Sequence, residues 1–332
     1  MHILDIRISL SELNKRFMQL CVYIASAFIL FILVNNVSND AFQYEMIWEE
    51  INQASFLESI LSQRFELGSL LILWSLANAF SANTMFYLTG LLALSIKYHL
   101  FNKYLNYSSF AFVLYLLTFA HILDANQVRA ALAACVIFYA LFVEPKSKFT
   151  YLFLTIVACL FHYSGVIILF LYFVHRPILP LVAIVSLGFI FDILISSSSY
   201  FIFALIWKSV GAGEVNLTNS FFIMQALIAI VCAFYWRTLS EGQKRGALIS
   251  MVGVVTYLSF LDYPIVAHRI RELSQIGILA ILFLGTRHLT VVKLVTSICF
   301  GYILAYNVFL LSSELISVND FWFDLMLKTR QE

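Results

Sequence analysis

Four short polar clusters interrupt an otherwise apolar chain, and they hold the side chains that bind phosphate and move protons. The first is Arg64-Phe65-Glu66-Leu67-Gly68. Glu66 opens a short apolar segment, where a helix dipole favours an anion. It reads either as a capping carboxylate beside Arg64 or as a carboxylate at the lip of a cavity. The second is the run His121, Asp124, Asn126, Gln127 and Arg129, a tight turn between two apolar segments. His121 and Asp124 are three residues apart and can share a helix face. Arg129 falls in the first turn of the next helix, where a cation opposes the dipole. A bound anion would reverse that, because the guanidinium and the free amides would then both point at it. The plainer alternative is an arginine that snorkels to the surface or pairs with Asp124.

The third cluster is Phe161-His162-Tyr163-Ser164-Gly165, a hairpin turned around a histidine and a serine. Ser164 can simply cap the following helix, and a lone histidine in a turn is often structural. The fourth is Asp262-Tyr263-Pro264 followed by His268-Arg269-Ile270-Arg271-Glu272. Arg269 reaches Glu272 at i,i+3 and His268 reaches it at i,i+4. A locally neutralised salt-bridge cluster is the alternative there. Three of the four clusters contain arginine, which stays charged when buried and grips phosphate bidentately. Histidine and carboxylate are the usual proton carriers. The set fits a cavity for a lipid-linked phosphate or diphosphate.

The elements that position these groups must be membrane helices. Of 332 residues, 62% are apolar and only 12% charged, against roughly a quarter charged in soluble domains. The net charge of +1 leaves no basic surface for nucleic acid. Cys21, Cys135, Cys159, Cys232 and Cys299 each sit in an apolar stretch without a CxxC pair, so neither a disulfide framework nor a zinc site is indicated. The apolar run from Met18 lacks a small-residue cleavage site and reads as a first spanning helix rather than a removable signal.

A spanning helix needs about 20 apolar residues. Met18–Val37 meets that, and Arg7, Lys15 and Arg16 before it place the N-terminus in the cytoplasm. The acidic segment 38–66 then forms a first outer loop. Leu67–Phe80 is short. If it enters and returns, or lies in the interface, then Lys97, Lys103, Lys146 and Lys148 all fall inside, as the positive-inside rule requires. A re-entrant segment is permitted when protein buries it, and that arrangement is the expectation.

Further spans follow at Thr84–Ile96, Ser109–Leu123, Val128–Val143, Phe149–Phe161, Tyr163–Val174, Ile178–Ile195, Ser220–Trp236, Ala247–Leu261, Leu273–Thr286 and Thr290–Leu311. The expected fold is therefore all-α: one polytopic domain over 1–332, about eleven transmembrane helices, a short re-entrant or interfacial helix and a second outer loop at 196–219. All four clusters then lie at outer helix ends. No internal repeat supports an inverted-repeat transporter.

At these clusters the sequence resembles the EpsG/Wzy-type polysaccharide polymerases of bacterial inner membranes. The resemblance spans roughly residues 60–290. It rests on an aromatic-Glu-x-Gly element (Phe65-Glu66-Leu67-Gly68), an Arg-containing helix start (Val128-Arg129-Ala130-Ala131-Leu132-Ala133), a His-x-Ser element (His162-Tyr163-Ser164) and a late Arg-containing helix start (His268-Arg269-Ile270-Arg271). Ala130 stands where the family usually has glutamine, so that amide's role is either absent or moved, with Gln127 the candidate to carry it.

The resemblance implies a polymerase at the periplasmic face of the inner membrane. It would join undecaprenyl-diphosphate-linked oligosaccharide repeats into O-antigen or a related surface polysaccharide. Arg129, Arg269 and Arg271, with Arg64, would hold the diphosphate. Glu66 or His162 would act as base, with His121 and His268 in reserve. Asp124, Gln127, Ser164, Tyr263 and Glu272 would support them. No Asp-x-Asp motif is present, so neither a metal nor another cofactor is expected, and EDTA should leave activity intact. Partners implied by the family are membrane lipid, a chain-length regulator and a flippase.

Three other classes compete. A flippase for the same glycan should line a path across the whole bilayer, and only Asp192, deep in a late span, hints at one. A membrane acyltransferase should have larger cytosolic loops. A scaffold should not gather buried Arg and His. Replacing Arg129 by Ala in a complemented deletion strain should abolish the polymer ladder while single lipid-linked repeats still reach the outer face. Repeats trapped on the inner face would instead identify a flippase.

Overall fold

The computed structural model describes residues 10–36, 41–62, 66–105, 107–145, 147–197, 215–285 and 290–328. Arg64 and most of the second outer loop, residues 198–214, lie outside the described residues. The described residues form helices and turns and no strand. In chain order the helices are α1 Leu10–Asn36, α2 Ala41–Gln53, α3 Phe56–Ser62, α4 Leu67–Ala77, α5 Ala82–Tyr104 and α6 Ser108–Tyr115, which runs on as a π turn, Leu116–Ala120. Then come α7 Val128–Val143, α8 Lys148–Phe161, a 3-10 turn Tyr163–Val166 leading into α9 Ile167–Leu171, and α10 Ile178–Ser197. The chain finishes with α11 Ser220–Phe234, α12 Glu241–Ser259, α13 Pro264–Ser274, α14 Gly277–Phe283 and α15 Val291–Lys328.

Nearly every apolar run read from the sequence is thus a helix, but lengths differ from the expectation of eleven full spans. Among the described residues, two helices are long and apolar enough to cross a bilayer unaided, through Phe17–Val34 and Val291–Phe309. Only 22% of the first window and 33% of the second are buried. Their exposed faces, with Phe17, Ile24, Phe28, Ile298 and Phe309, call for an apolar cover such as lipid. Several other apolar helices are shorter. The 16 residues of α7 and 14 of α8 extend about 24 and 21 Å, against a hydrocarbon core of about 30 Å. Most of the segment read as a first outer loop is helical: α2 and α3 pack on α4.

Packing divides into two groups. In the first, α5 lies between α1 and α7, and α7 lies against α8. In the second, α12 is central and touches α10, α11, α13 and α14. Its start is fixed by a capping box in which Ser240 and Gln243 satisfy each other's backbone amides, a Ser-x-x-Gln signal of the usual kind. This moves the helix start from the expected Ala247 back to Glu241. Arg245, expected in a loop, is therefore inside α12 and buried, donating to the Leu141 carbonyl at 3.0 Å and to Glu144 at 3.1 Å. The groups meet where α12 contacts α7 and where α13 contacts the 3-10 turn.

The turn from His121 to Gln127 is anchored to the middle of α5, not to its end. Asp124 is fully buried and accepts from Lys97 Nζ at 2.5 Å and from the Tyr115 hydroxyl. Gly90, also midway along α5, touches the Asp124 carbonyl so closely that any Cβ would overlap it. This corrects two expectations. Lys97 is not an interfacial lysine at a helix end but a wholly buried cation. Asp124 is not a partner of the arginine cluster but the counter-ion of Lys97.

Removing one member of a buried pair strands the other charge and costs about 3–5 kcal/mol, whereas replacing both by apolar groups is often neutral. Asp124→Leu should therefore lower the thermal unfolding temperature of the purified protein sharply, and Lys97→Met with Asp124→Leu should recover most of that loss. Equal losses in both would contradict the pairing.

Candidate functional site

Four segments that are distant in sequence bring their polar ends together. Glu66 is the N-cap residue of α4, with extended backbone, yet its side chain makes no capping bond to its own helix. It reaches outward. Oε2 accepts from Arg129 Nη1 at 2.7 Å, and Oε1 accepts from the Tyr163 amide at 3.3 Å. The local fold explains that reach. Gly68 presses on the end of α8, where a Cβ would lie 2.8 Å from the Leu160 carbonyl oxygen. Ser69 donates to the Phe161 carbonyl at 2.6 Å. A larger residue at position 68 would lift α4 off α8 and carry Glu66 away from Tyr163. This gives the Glu-x-Gly spacing a physical reason.

Arg129 comes from the first turn of α7 and has Tyr44 of α2 as a further hydrogen-bond partner. Gln127, just before α7, donates to Glu272 Oε2 of α13 at 3.3 Å. Glu272 also pairs with Arg269 Nη1 at 3.6 Å and lies 4.0 Å from Arg271 Nη2. Two carboxylates, Glu66 and Glu272, thus face three guanidiniums, Arg129, Arg269 and Arg271. The balance is one positive charge in a site that is only partly open to water: Arg129 and Glu66 side chains are 26% and 17% exposed.

His162 closes the turn after α8, stacked on the Tyr163 ring at 4.4 Å. Its Nδ1 accepts from the Ser164 amide at 3.2 Å. A neutral imidazole that accepts at Nδ1 carries its proton on Nε2. Burial pushes the His162 pKa down to about 3, and the neighbouring charges of Arg129 and Arg269 push it the same way. At neutral pH His162 is therefore an uncharged ring offering an N–H.

The remaining expected residues are placed as follows. Ser164 is buried, with its amide on His162. Tyr263 is buried as the N-cap residue of α13, followed by Pro264 in the first turn. His268 lies edge-on to the Tyr257 ring at 5.4 Å. His121 is buried, its carbonyl accepting from Asn126. Asp124 is spent on Lys97, as above. Sequence reasoning missed Tyr44, the Tyr163 amide and Tyr257. Tyr44 lies in a polar loop with no spacing that links it to Arg129, and a main-chain amide leaves no residue-type signal at all. A cavity of about 580 Å³ exists at the opposite end of α7, lined by Glu144, Tyr151, His175 and Arg245 among others, and it is separate from this cluster.

Comparison with known families agrees with the motif reading. The chain belongs to the EpsG family, whose model matches residues 17–324. No characterised protein and no solved structure matches.

The depressed histidine predicts a pH effect with a definite sign. The folded His162 stays neutral down to about pH 3, whereas the unfolded ring protonates near 6.5, so the unfolded state binds the extra proton in between. Its contribution to stability is whole above pH 6.5 and is lost as pH falls towards 3. Wild type should lose thermal stability over that window more steeply than His162→Gln. Parallel pH profiles for the two proteins would disprove a buried neutral His162.

Proposed function

We propose that this chain is a glycosyl-transferring polysaccharide polymerase of the bacterial inner membrane, acting on oligosaccharide repeats carried on undecaprenyl diphosphate at the periplasmic face. Its product on this reading is O-antigen or a related surface polymer. Family membership supports the polysaccharide-polymerase type of role. The observation that carries the rest is the charge balance just described: three arginines against two carboxylates, drawn from α4, α7 and α13. A partly dry site with excess positive charge calls for an anion, and the leaving group of such a transfer is a lipid diphosphate. On this reading the short helices α4 and α6 to α9 are membrane elements whose polar ends find their partners within the protein.

The chemistry follows from the pairs present. An acceptor sugar hydroxyl attacks C1 of the donor sugar. The bond between C1 and the diphosphate oxygen breaks, and its electrons leave with the diphosphate. Arg129 and Arg269 stabilise that developing charge with fixed donors. When the diphosphate occupies Arg129, Glu66 loses its strongest partner, and its freed oxygen takes the proton of the attacking hydroxyl. His162 serves as an uncharged donor through Nε2, not as the base. Between the two candidates for that role, the geometry favours Glu66.

Reconstituted into vesicles with lipid-linked repeats, Glu66→Gln should lose about 10²–10⁴-fold in polymer formation while still retaining the substrate on Arg129. His162→Gln, which keeps an N–H donor, should retain much more activity than Glu66→Gln. A His162→Gln variant as inactive as Glu66→Gln would move the base to His162. Transport of repeats without any joining would replace the polymerase reading with a flippase.

A further inference from the structure

Arg269 and Arg271 leave α13 in different directions, although both reach Glu272. Two residues apart on α13, they are about 200° apart around its axis. Arg269 is 35% exposed and close enough to His162 and Tyr163 to perturb both. Arg271 is only 6% exposed. Its guanidinium carbon lies 5.3 Å from the centre of the Tyr257 ring on α12. Tyr257 is itself held firmly: it stacks on Phe222 at 4.7 Å, and its hydroxyl binds the Asn216 main chain at 3.2 Å on both sides. His268 closes the edge of the same ring.

Arg271 is incompletely satisfied. Nε and Nη1 are buried without a hydrogen-bond partner among the described residues. Glu272 is 4.0 Å from Nη2 and is shared, since its other oxygen takes Gln127 and Arg269. Buried polar donors nearly always have partners, and a desolvated cation without one is costly. Arg271, whose guanidinium faces Tyr257, is therefore the least compensated of the three guanidiniums.

We propose that Arg271, braced on Tyr257, is a second phosphoryl-binding point, distinct from the one formed by Arg129 and Arg269. This rests on the polymerase reading, in which two carrier-linked molecules meet and each bears a diphosphate. One diphosphate departs at Arg129 and Arg269, while Arg271 holds the other substrate by its carrier throughout the transfer. The shared chemistry is a phosphoryl oxyanion on a lipid.

The test uses the full chain in neutral phosphatidylcholine nanodiscs, with farnesyl diphosphate as the probe and native mass spectrometry to count bound molecules. Wild type should bind two, and Arg271→Gln and Arg129→Gln one each. Arg271→Lys keeps the charge but loses the bidentate fork, so it should fold and bind the second molecule about tenfold more weakly. A wild type that binds one molecule, with affinity unchanged in Arg271→Lys, would overturn the second point and leave the polymerase reading standing. A wild type that binds none would overturn both. Phosphatidylglycerol that occupies the Arg271-dependent position in preference to farnesyl diphosphate would show a bulk-lipid contact and likewise overturn the proposal.

Discussion

The ion pair between Glu66 and Arg129 is the interaction on which the arrangement of the site depends. A carboxylate and a guanidinium held at 2.7 Å with little water around them attract strongly, but only while both backbones are fixed. The fixing is done elsewhere. Gly68 and Ser69 seat α4 on the end of α8, so that the same carboxylate also meets the Tyr163 amide. Asp124, tied to Lys97 and Tyr115, seats the turn that leads into Arg129. The Glu66–Arg129 pair is thus partly exposed, while the Lys97–Asp124 pair, whose carboxylate lies five residues upstream of Arg129, is dry. On the proposed function this places one charge where substrate can compete for it, and another where nothing can.

Helix length turns that local pairing into a site. The first and last apolar helices are long enough to cross a bilayer, whereas α4, α7, α8 and α9 are shorter. The turn leading into α7 meets the middle of α5. Polar main chain shielded from water must find partners within the protein, and it does: the Tyr163 amide on Glu66, the Ser164 amide on His162, the Asn126 amide group on the His121 carbonyl. Glu272 then links this group to α13 through Gln127 and Arg269. One carboxylate serves each half of the molecule.

Much of this was legible in the sequence for physical reasons. Apolar runs without charge can only be helices in lipid, and the helices lie where the runs are. Arg129 at the head of a helix opposes the dipole, and Arg269, Arg271 and Glu272 share one short helix, so both stood out by residue type and spacing alone. The Glu-x-Gly and His-x-Ser elements marked the ends of α4 and α8. What residue type could not reveal was partnership. Lys97 reads as a flanking lysine because a positive charge after an apolar run is commonly interfacial. Only the packing of α5 against the 121–127 turn shows it buried on Asp124.

The same holds for His162, whose proton position follows from one main-chain amide, and for Arg271, whose rotation about α13 turns it to Tyr257 instead of to Arg129. The sequence by itself determined the class of protein, the order of its helices and the residue types that could do chemistry, because composition and period act locally along the chain. Tertiary structure alone decided which charges pair with each other, which are sealed in and which are left for a ligand, because those outcomes depend on distances between segments that the chain brings together only when it folds.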